Sequence, residues 1–237
     1  MSMDRPNATA IPPDGVRAAR PTLAIIGGTG ALGSALAMRW ARAGYGVVIG
    51  SRSRAKATAA ASALQPGAGA VSGDDNQGAA RTGDVVVLAV PFASHDATLD
   101  EIREHVQGKI VVDAVVPLLP PKVSTVHLPP EGSAARHAQW RLGDGVRVVA
   151  AFHNIGAAKL RAGDGVDCDV LVCGDDKAAR DEVIALAAAA GARGIDAGPI
   201  ANAVAAEALT AVLIGINRRY KTRDAGIRIT GLADLGG

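Results

Sequence analysis

The chain has 237 residues, 49% of them hydrophobic and 20% charged, which is enough to bury a core as one large domain or as a domain with a smaller companion. A formal charge of +2 without a basic stripe argues against nucleic acid as a partner, and 3% aromatic residues leave no platform for stacking bases. Cys168 and Cys173 stand an odd number of positions apart in "DCDVLVCG", so a strand sends them to opposite faces; they read as buried free thiols of a reducing cytoplasm.

Residues 1–20 mix Pro, Asp and Arg without an apolar core and read as a disordered leader rather than a secretory signal. From Thr22 the chain alternates strand and helix. Strands are predicted at 22–26, 46–50, 69–72, 84–90, 109–113 and 146–151, with helical crossovers at 31–43, 53–64 and 93–106. "VVVLAV" at 85–90 is a continuous apolar run, as in a parallel strand covered on both faces. A proline-rich irregular connection follows at 117–132. Near His153 the pattern changes to a strand at 168–173, a helix at 176–190, a short strand at 193–196 and a long helix at 200–219. The expected fold is α/β: a Rossmann-type doubly wound parallel sheet over 21–155 and a smaller C-terminal α/β domain over 156–237. The stretch 200–216 is apolar but carries Asn202 and Glu207 and is short for a membrane span, so it reads as a buried helix at a subunit interface of a homodimer.

Gly28-Thr29-Gly30-Ala31-Leu32-Gly33 fits G-x-G-x-x-G between an apolar strand and a helix, the context in which this pattern means a dinucleotide. Gly28 is read as the tight turn, Gly30 as the close approach to a pyrophosphate and Gly33 as helix–strand packing. At the end of the second strand an NAD site places a carboxylate for the ribose hydroxyls. This chain has Ser51 and Arg52, followed by Arg54 and Lys56: a hydroxyl and cations suited to a 2′-phosphate. The nucleotide is therefore read as NADP. The Tyr-x-x-x-Lys pair of short-chain dehydrogenases is absent, and no His, Cys and carboxylate cluster has metal-ligand spacing. No catalytic acid–base pair is assigned, which suits hydride transfer to a conjugated ring that needs only positioning and exclusion of water.

"VVVLAVPFASH", "KIVVDAVVPL", "VVAAFHNIGA", "VLVCGDD", "DAGPIANAVAAEALTAVLIGINRRYK" and "GIRITGL", with the glycine-rich stretch, resemble the F420:NADP oxidoreductase family from about residue 22 to 232. That resemblance implies hydride transfer between NADP(H) and the 8-hydroxy-5-deazaflavin coenzyme F420. By position it implies Thr29, Gly30, Ala31 and Leu32 at the pyrophosphate, and Ser51, Arg52 and Lys56 at the 2′-phosphate. It also implies Val90, Val116 and Ala157 along the path to the nicotinamide, His153 and Ile155 against the deazaflavin, and Ala225 closing the ring pocket. The chain departs from the family pattern at Asn154, Gly156, Ile200, Ala201 and Val204. Arg218, Arg219, Lys221 and Arg223 in "NRRYKTR" are expected to attract the acidic tail of F420. His95, His105, His127 and His137 receive no role. The rival readings are an NADPH-dependent reductase of a flavin, pterin or imine, and an NADP sensor without turnover.

Overall fold

The computed structural model describes residues 20–64, 69–163, 165–223 and 225–232. The expected leader lies almost wholly outside them. Strands β1 (Leu23–Ile26), β2 (Val47–Ser51), β3 (Val71–Asp75), β4 (Val85–Leu88), β5 (Ile110–Asp113) and β6 (Arg147–Ala150) pair in parallel in the order β3-β2-β1-β4-β5-β6. The order reverses between β1 and β4, so a crevice opens beyond the carboxyl ends of these two strands. The residues that follow each strand, Gly27 and Ala89, meet there.

Helices α1 (Ala31–Arg42), α2 (Arg54–Ala63), α4 (His95–Ile102) and α5 (Ala134–Leu142) cover the sheet with the shorter α3 (Asn76–Thr82). Alternation along the strands produces two cores. Leu23, Ile25, Val47, Ile49, Val85 and Val87 pack on one face with Trp40 of α1, while Ala24, Ile26, Val48, Val86 and Leu88 pack on the other with Leu99 and Ile102 of α4. The stretch at 93–106 is α4 flanked by 3-10 turns at Phe92–Ser94 and Arg103–His105. Neither α3 nor α5 is in the sequence reading: "NQGAART" is too short and polar for an apolar stripe, and α5 emerges directly from the proline-rich connection.

The C-terminal part, read from the sequence as a smaller unit, extends the same sheet. Beyond the short helix α6 (Ala157–Arg161), β7 (Asp169–Gly174) pairs antiparallel with β6, and β8 (Arg193–Asp196) pairs parallel with β7. Cys168 and Cys173 are free, buried and in the two opposite cores. Helix α7 (Lys177–Ala189) backs these strands, and Trp40 Nε1 donates to the carbonyl of Leu186 at 2.8 Å, fastening α1 to it. A 3-10 turn at Ile200–Asn202 leads into α8 (Ala203–Tyr220). The sequence reads α8 as buried. Within the chain one side is covered: Ala203, Ala206, Glu207, Ala211 and Leu213 are buried, and Val212, Ile216 and Tyr220 form an exposed stripe on the side that the sequence reading gives to a subunit interface. By length and mean hydropathy (1.6), Ile200–Tyr220 could cross a membrane, with a third of it buried in the fold.

Candidate active site

The first cleft is built on the turn after β1. The backbone becomes left-handed at Gly27, φ +80°, where a Cβ would lie 2.5 Å from the carbonyl oxygen of Ala89. The sequence reading gave the turn to Gly28; the structure gives it to the residue before. Gly28 is required sterically, since its Cβ would meet the carbonyl of Ile25 at 2.8 Å and Ile49 Cγ2 at 2.9 Å. A Cβ on Gly33 would press on Gly27 O at 2.7 Å and Gly28 Cα at 2.9 Å, so α1 rests directly on the turn, as expected. Thr29 and Gly30 are exposed. Gly30 caps α1 without a side-chain hydrogen bond and no acid stands in the first turn. Helices α2, α3, α5 and α7 are capped by Ser53, Asp75, Ser133 and Asp176, whereas α4, α6 and α8, like α1, have no side-chain cap. The positive end of the α1 dipole is therefore not neutralised by the protein's own side chains.

Thr29, Gly30, Ser51, Arg52 and Val90 line this cleft of about 170 Å³, together with Gly27, Asn76, Ser94 and Thr98. Arg52 is exposed and makes no hydrogen bond or ion pair among the described residues. Arg54, two residues on, is occupied by Asp74 at 2.6 Å and Asp75 at 3.0 Å. Burial tends to raise the Asp75 carboxyl, but the amide of Gly78 first, and then Arg54, hold it below the usual carboxylate range. Lys56 is exposed beside the cleft but does not line it.

A second, smaller cavity of about 100 Å³ brings together His153, Ile155 and Ala225 with Thr210, Leu213, Asn217 and Arg223. Phe152 enters it in the left-handed region, φ +66°, which a bulky side chain rarely adopts. Its ring is buried edge-on against Trp40, 5.6 Å between centroids, and this packing holds the turn that presents His153. The carbonyl of His153 accepts from Thr210 Oγ1 of α8 at 2.7 Å. Both ring nitrogens of His153 are buried and have no hydrogen-bond partner. Burial pushes its pKa down to about 4, against a weaker upward pull from Asp113, so the ring is neutral at pH 7. Asn154 turns the other way, donating from Nδ2 to the carbonyl of Asp169 at 2.6 Å.

The family model described as NADP oxidoreductase, coenzyme F420-dependent, matches residues 22–117. The F420-dependent NADP reductase of Methanocaldococcus jannaschii is 42% identical over 221 residues, covering 89% of this chain and 98% of that protein. The chain belongs to the F420-dependent NADP reductase family. The reductase of Methanothermobacter thermautotrophicus is likewise 42% identical, over 90% of this chain and 96% of that protein. Among solved structures, one from Arthrobacter sp. FB24, described as a candidate F420-dependent NADP reductase, superposes with a TM-score of 0.72 at 28% identity, covering 89% of this chain and all of that one. An imine reductase from Myxococcus stipitatus (TM-score 0.58, 20% identity, 85% and 62% coverage) shares the fold.

In this member of the family, eight of the expected site residues fall into two groups. The first cleft gathers Thr29, Gly30, Ser51, Arg52 and Val90, and the second gathers His153, Ile155 and Ala225. Val116, half-buried after β5, and Ala157, the first residue of α6, line neither cavity. Gly28 and Gly33 lie buried beneath the loop, with Ala31 and Leu32 in the first turn above it. Sequence reasoning missed Gly27, although it is the first glycine after the strand. It also missed the α8 side of the second cavity, whose Thr210, Leu213, Ile214 and Asn217 have the i, i+3, i+4, i+7 spacing of one helix face.

Proposed function

We propose that this chain transfers hydride between NADP(H) and the deazaflavin coenzyme F420. The carrying observation is identity of 42% along nearly the whole length of a relative named F420-dependent NADP reductase. The clefts are consistent with the two cofactors. The uncapped α1 terminus with Gly28, Thr29, Gly30, Ala31, Leu32 and Gly33 suits a pyrophosphate; Ser51, the unpaired Arg52 and Lys56 suit a 2′-phosphate. Val90, Val116 and Ala157 are assigned to the path towards the nicotinamide. His153, Ile155 and Ala225 are assigned to the deazaflavin, and orphaned ring nitrogens in a small cavity are what a polar heterocycle would satisfy. Residues 156–237, through α8, complete that second pocket.

Bound together, NADP(H) and F420 would supply the hydride chemistry between their ring carbons, in either direction, so the chain's task is alignment. A neutral His153 beside the ring can donate or accept one hydrogen bond, and the α8 face sheds water. We further assign the protein to the cytoplasm, acting on small-molecule cofactors as a homodimer, without membrane or nucleic acid. Support for the dimer is the exposed apolar stripe Val212, Ile216 and Tyr220. The test is to mix the purified chain with NADPH, deuterated on the transferred face, and F420. Loss of the deazaflavin's visible absorbance with label at C5 supports the reading; unchanged absorbance removes it, and label in solvent removes direct transfer.

A further inference from the structure

His95, Asp113 and Glu207 are fully buried ionisable side chains that line neither cleft. Asp113 ends β5 and is the hub. Its Oδ2 lies 2.8 Å from His95 Nε2, the first residue of α4, and its Oδ1 accepts the amide of Val115 at 2.8 Å. Its main-chain carbonyl accepts the amide of Ala151 at 3.1 Å, two residues before His153. One residue thereby holds a wall of each cavity. Ser94 and Thr98, flanking His95, line the nucleotide cleft, and Val115 leads to Val116. On the other side, the segment from Ala151 delivers His153 to the second cavity.

The surroundings fit an anchor rather than a reacting group. His95 has Phe92 and His137 as ring neighbours, at 6.3 and 6.2 Å between centroids, and its Nδ1 has no partner. His137 is itself held by Asp96 and Glu131. Glu207, on α8, accepts from the amides of Ala134 and Ala135 at 2.7 and 3.0 Å, so it caps α5. Burial alone would lower the His95 pKa, but Asp113, with Asp96 and Glu207 behind it, holds it above its ordinary value. A buried pair of this kind is rigid because releasing either partner leaves a desolvated polar group without its hydrogen bond.

We propose that Asp113, anchored by His95, is a positioning residue for hydride transfer: its side chain ties the turn after β5 to the start of α4, and this steadies the strand end whose carbonyl pairs with Ala151, so that the two ring-binding walls stay aligned. This rests on the F420 reading above. In Asp113→Ala both side-chain anchors, to His95 and to the Val115 amide, go, while the main-chain bond to Ala151 remains; kcat should fall about 100-fold, the cost of a misplacement near 1 Å, while NADPH affinity changes less than about threefold. Amide hydrogen exchange should accelerate most at 114–118, where the bond from Val115 to the side chain is removed, and less at 151–155, whose main-chain bond to Asp113 stays. Asp113→Asn keeps an acceptor for Val115 and can donate to a neutral His95, and should restore slow exchange and most of kcat. Should Asp113→Ala not fold, His95→Ala against His95→Gln carries the same comparison, since Gln can still donate to Asp113.

The proposal is overturned if the Ala variant folds and keeps kcat, or if kcat and NADPH affinity fall together. It is equally overturned if the Asn variant is as slow as the Ala variant despite wild-type exchange, because charge and not position would then matter. Failure of wild-type protein to reduce F420 would remove the functional reading instead, while amide exchange in the Asp113 variants would still report whether Asp113 holds both walls.

Discussion

The two cavities are made by different means. The nucleotide cleft is walled by the two ends of the first strand–helix–strand unit, Gly27 to Gly30 and Ser51 with Arg52, and by Asn76, Val90, Ser94 and Thr98; backbone geometry and one cation unpaired among the described residues are its working parts. The second cavity is assembled from His153–Gly156, one face of α8, Arg223 and Ala225, and its central group is a buried histidine whose ring has no hydrogen-bond partner among the described residues. A site of the first kind is vulnerable to added atoms. A site of the second kind is vulnerable to changes of charge and tilt.

The largest effect tests that contrast with glycines. Gly33→Ala would force a Cβ within 2.9 Å of backbone atoms of Gly27 and Gly28, none of which is a flexible side-chain end. The cost should be about 3 kcal/mol of stability, with NADPH binding lost alongside. Gly156→Ala, at the second cavity, meets nothing within 4 Å and should cost under about 1 kcal/mol as a poorer helix cap. Denaturant melts of both variants check the pair; equal losses would dissolve the contrast.

Arg52 comes next. A guanidinium–phosphate pair at a partly exposed site contributes about 1.5–3 kcal/mol, so Arg52→Ala should weaken NADPH binding roughly ten- to hundredfold. NADH, without the 2′-phosphate, should be nearly indifferent. Binding titrations with both nucleotides decide it, and equal losses remove the assignment. Arg54→Ala should leave NADPH binding within about threefold, because Asp74 and Asp75 already occupy that side chain.

These differences explain what could be read from the chain alone. The parallel strands were legible because "LAII", "VVIG" and "VVVL" are continuous apolar runs. The nucleotide residues were legible because their spacing is local. Strand β3 was misplaced because "VSGDD" takes its pairing from β2 rather than from its own composition, and α3 was missed because its seven residues have no apolar stripe. The role of Asp113 was invisible for another reason: its partners, His95, Val115 and Ala151, meet only once three strands are in register. The half-exposed state of α8 could not be read from hydropathy, which records an apolar helix without saying how many sides are covered.

Titration sharpens the comparison on the acceptor side. The His153 pKa is depressed to about 4 in the fold and is near 6.5 in the unfolded chain, so the unfolded state binds more protons between these values. The resulting stability is present above pH 6.5 and is lost as pH falls towards 4. Glu207 has the opposite sign. Burial first, and then Asp113, raise it to about 8, so its contribution is present below pH 4.5 and is lost as pH rises towards 8. A pH series of thermal melts should show both slopes. His153→Gln should flatten the acid limb and weaken F420 binding several-fold while sparing NADPH. An unchanged acid limb would mean that His153 is solvated and charged at low pH.

The smallest effect concerns the end of α8. Arg219, Lys221 and Arg223 are exposed, and Arg223 lines the second cavity; Arg218 reaches only Ser124 at 3.4 Å. Cations at a helix C-terminus gain roughly 0.3–1 kcal/mol each from its dipole, which would be reason enough for their presence. That argument holds for Arg218 and Arg219 in the last turn, but Arg223 lies beyond the left-handed cap at Lys221 and at the cavity itself. Elsewhere on the surface Arg54, Arg141, Arg180 and Arg228 are paired with acids. A group of cations without such partners among the described residues should therefore attract the phosphodiester and glutamates of F420. The attraction should weaken as the Debye length shrinks to about 3 Å at 1 M salt. The apparent KM for F420 should rise with salt, and faster for longer glutamate tails. Neutralising Arg219 and Arg223 together should flatten that rise and leave the NADPH response alone. A wild-type salt slope in the double variant would reduce these cations to a solvated helix end.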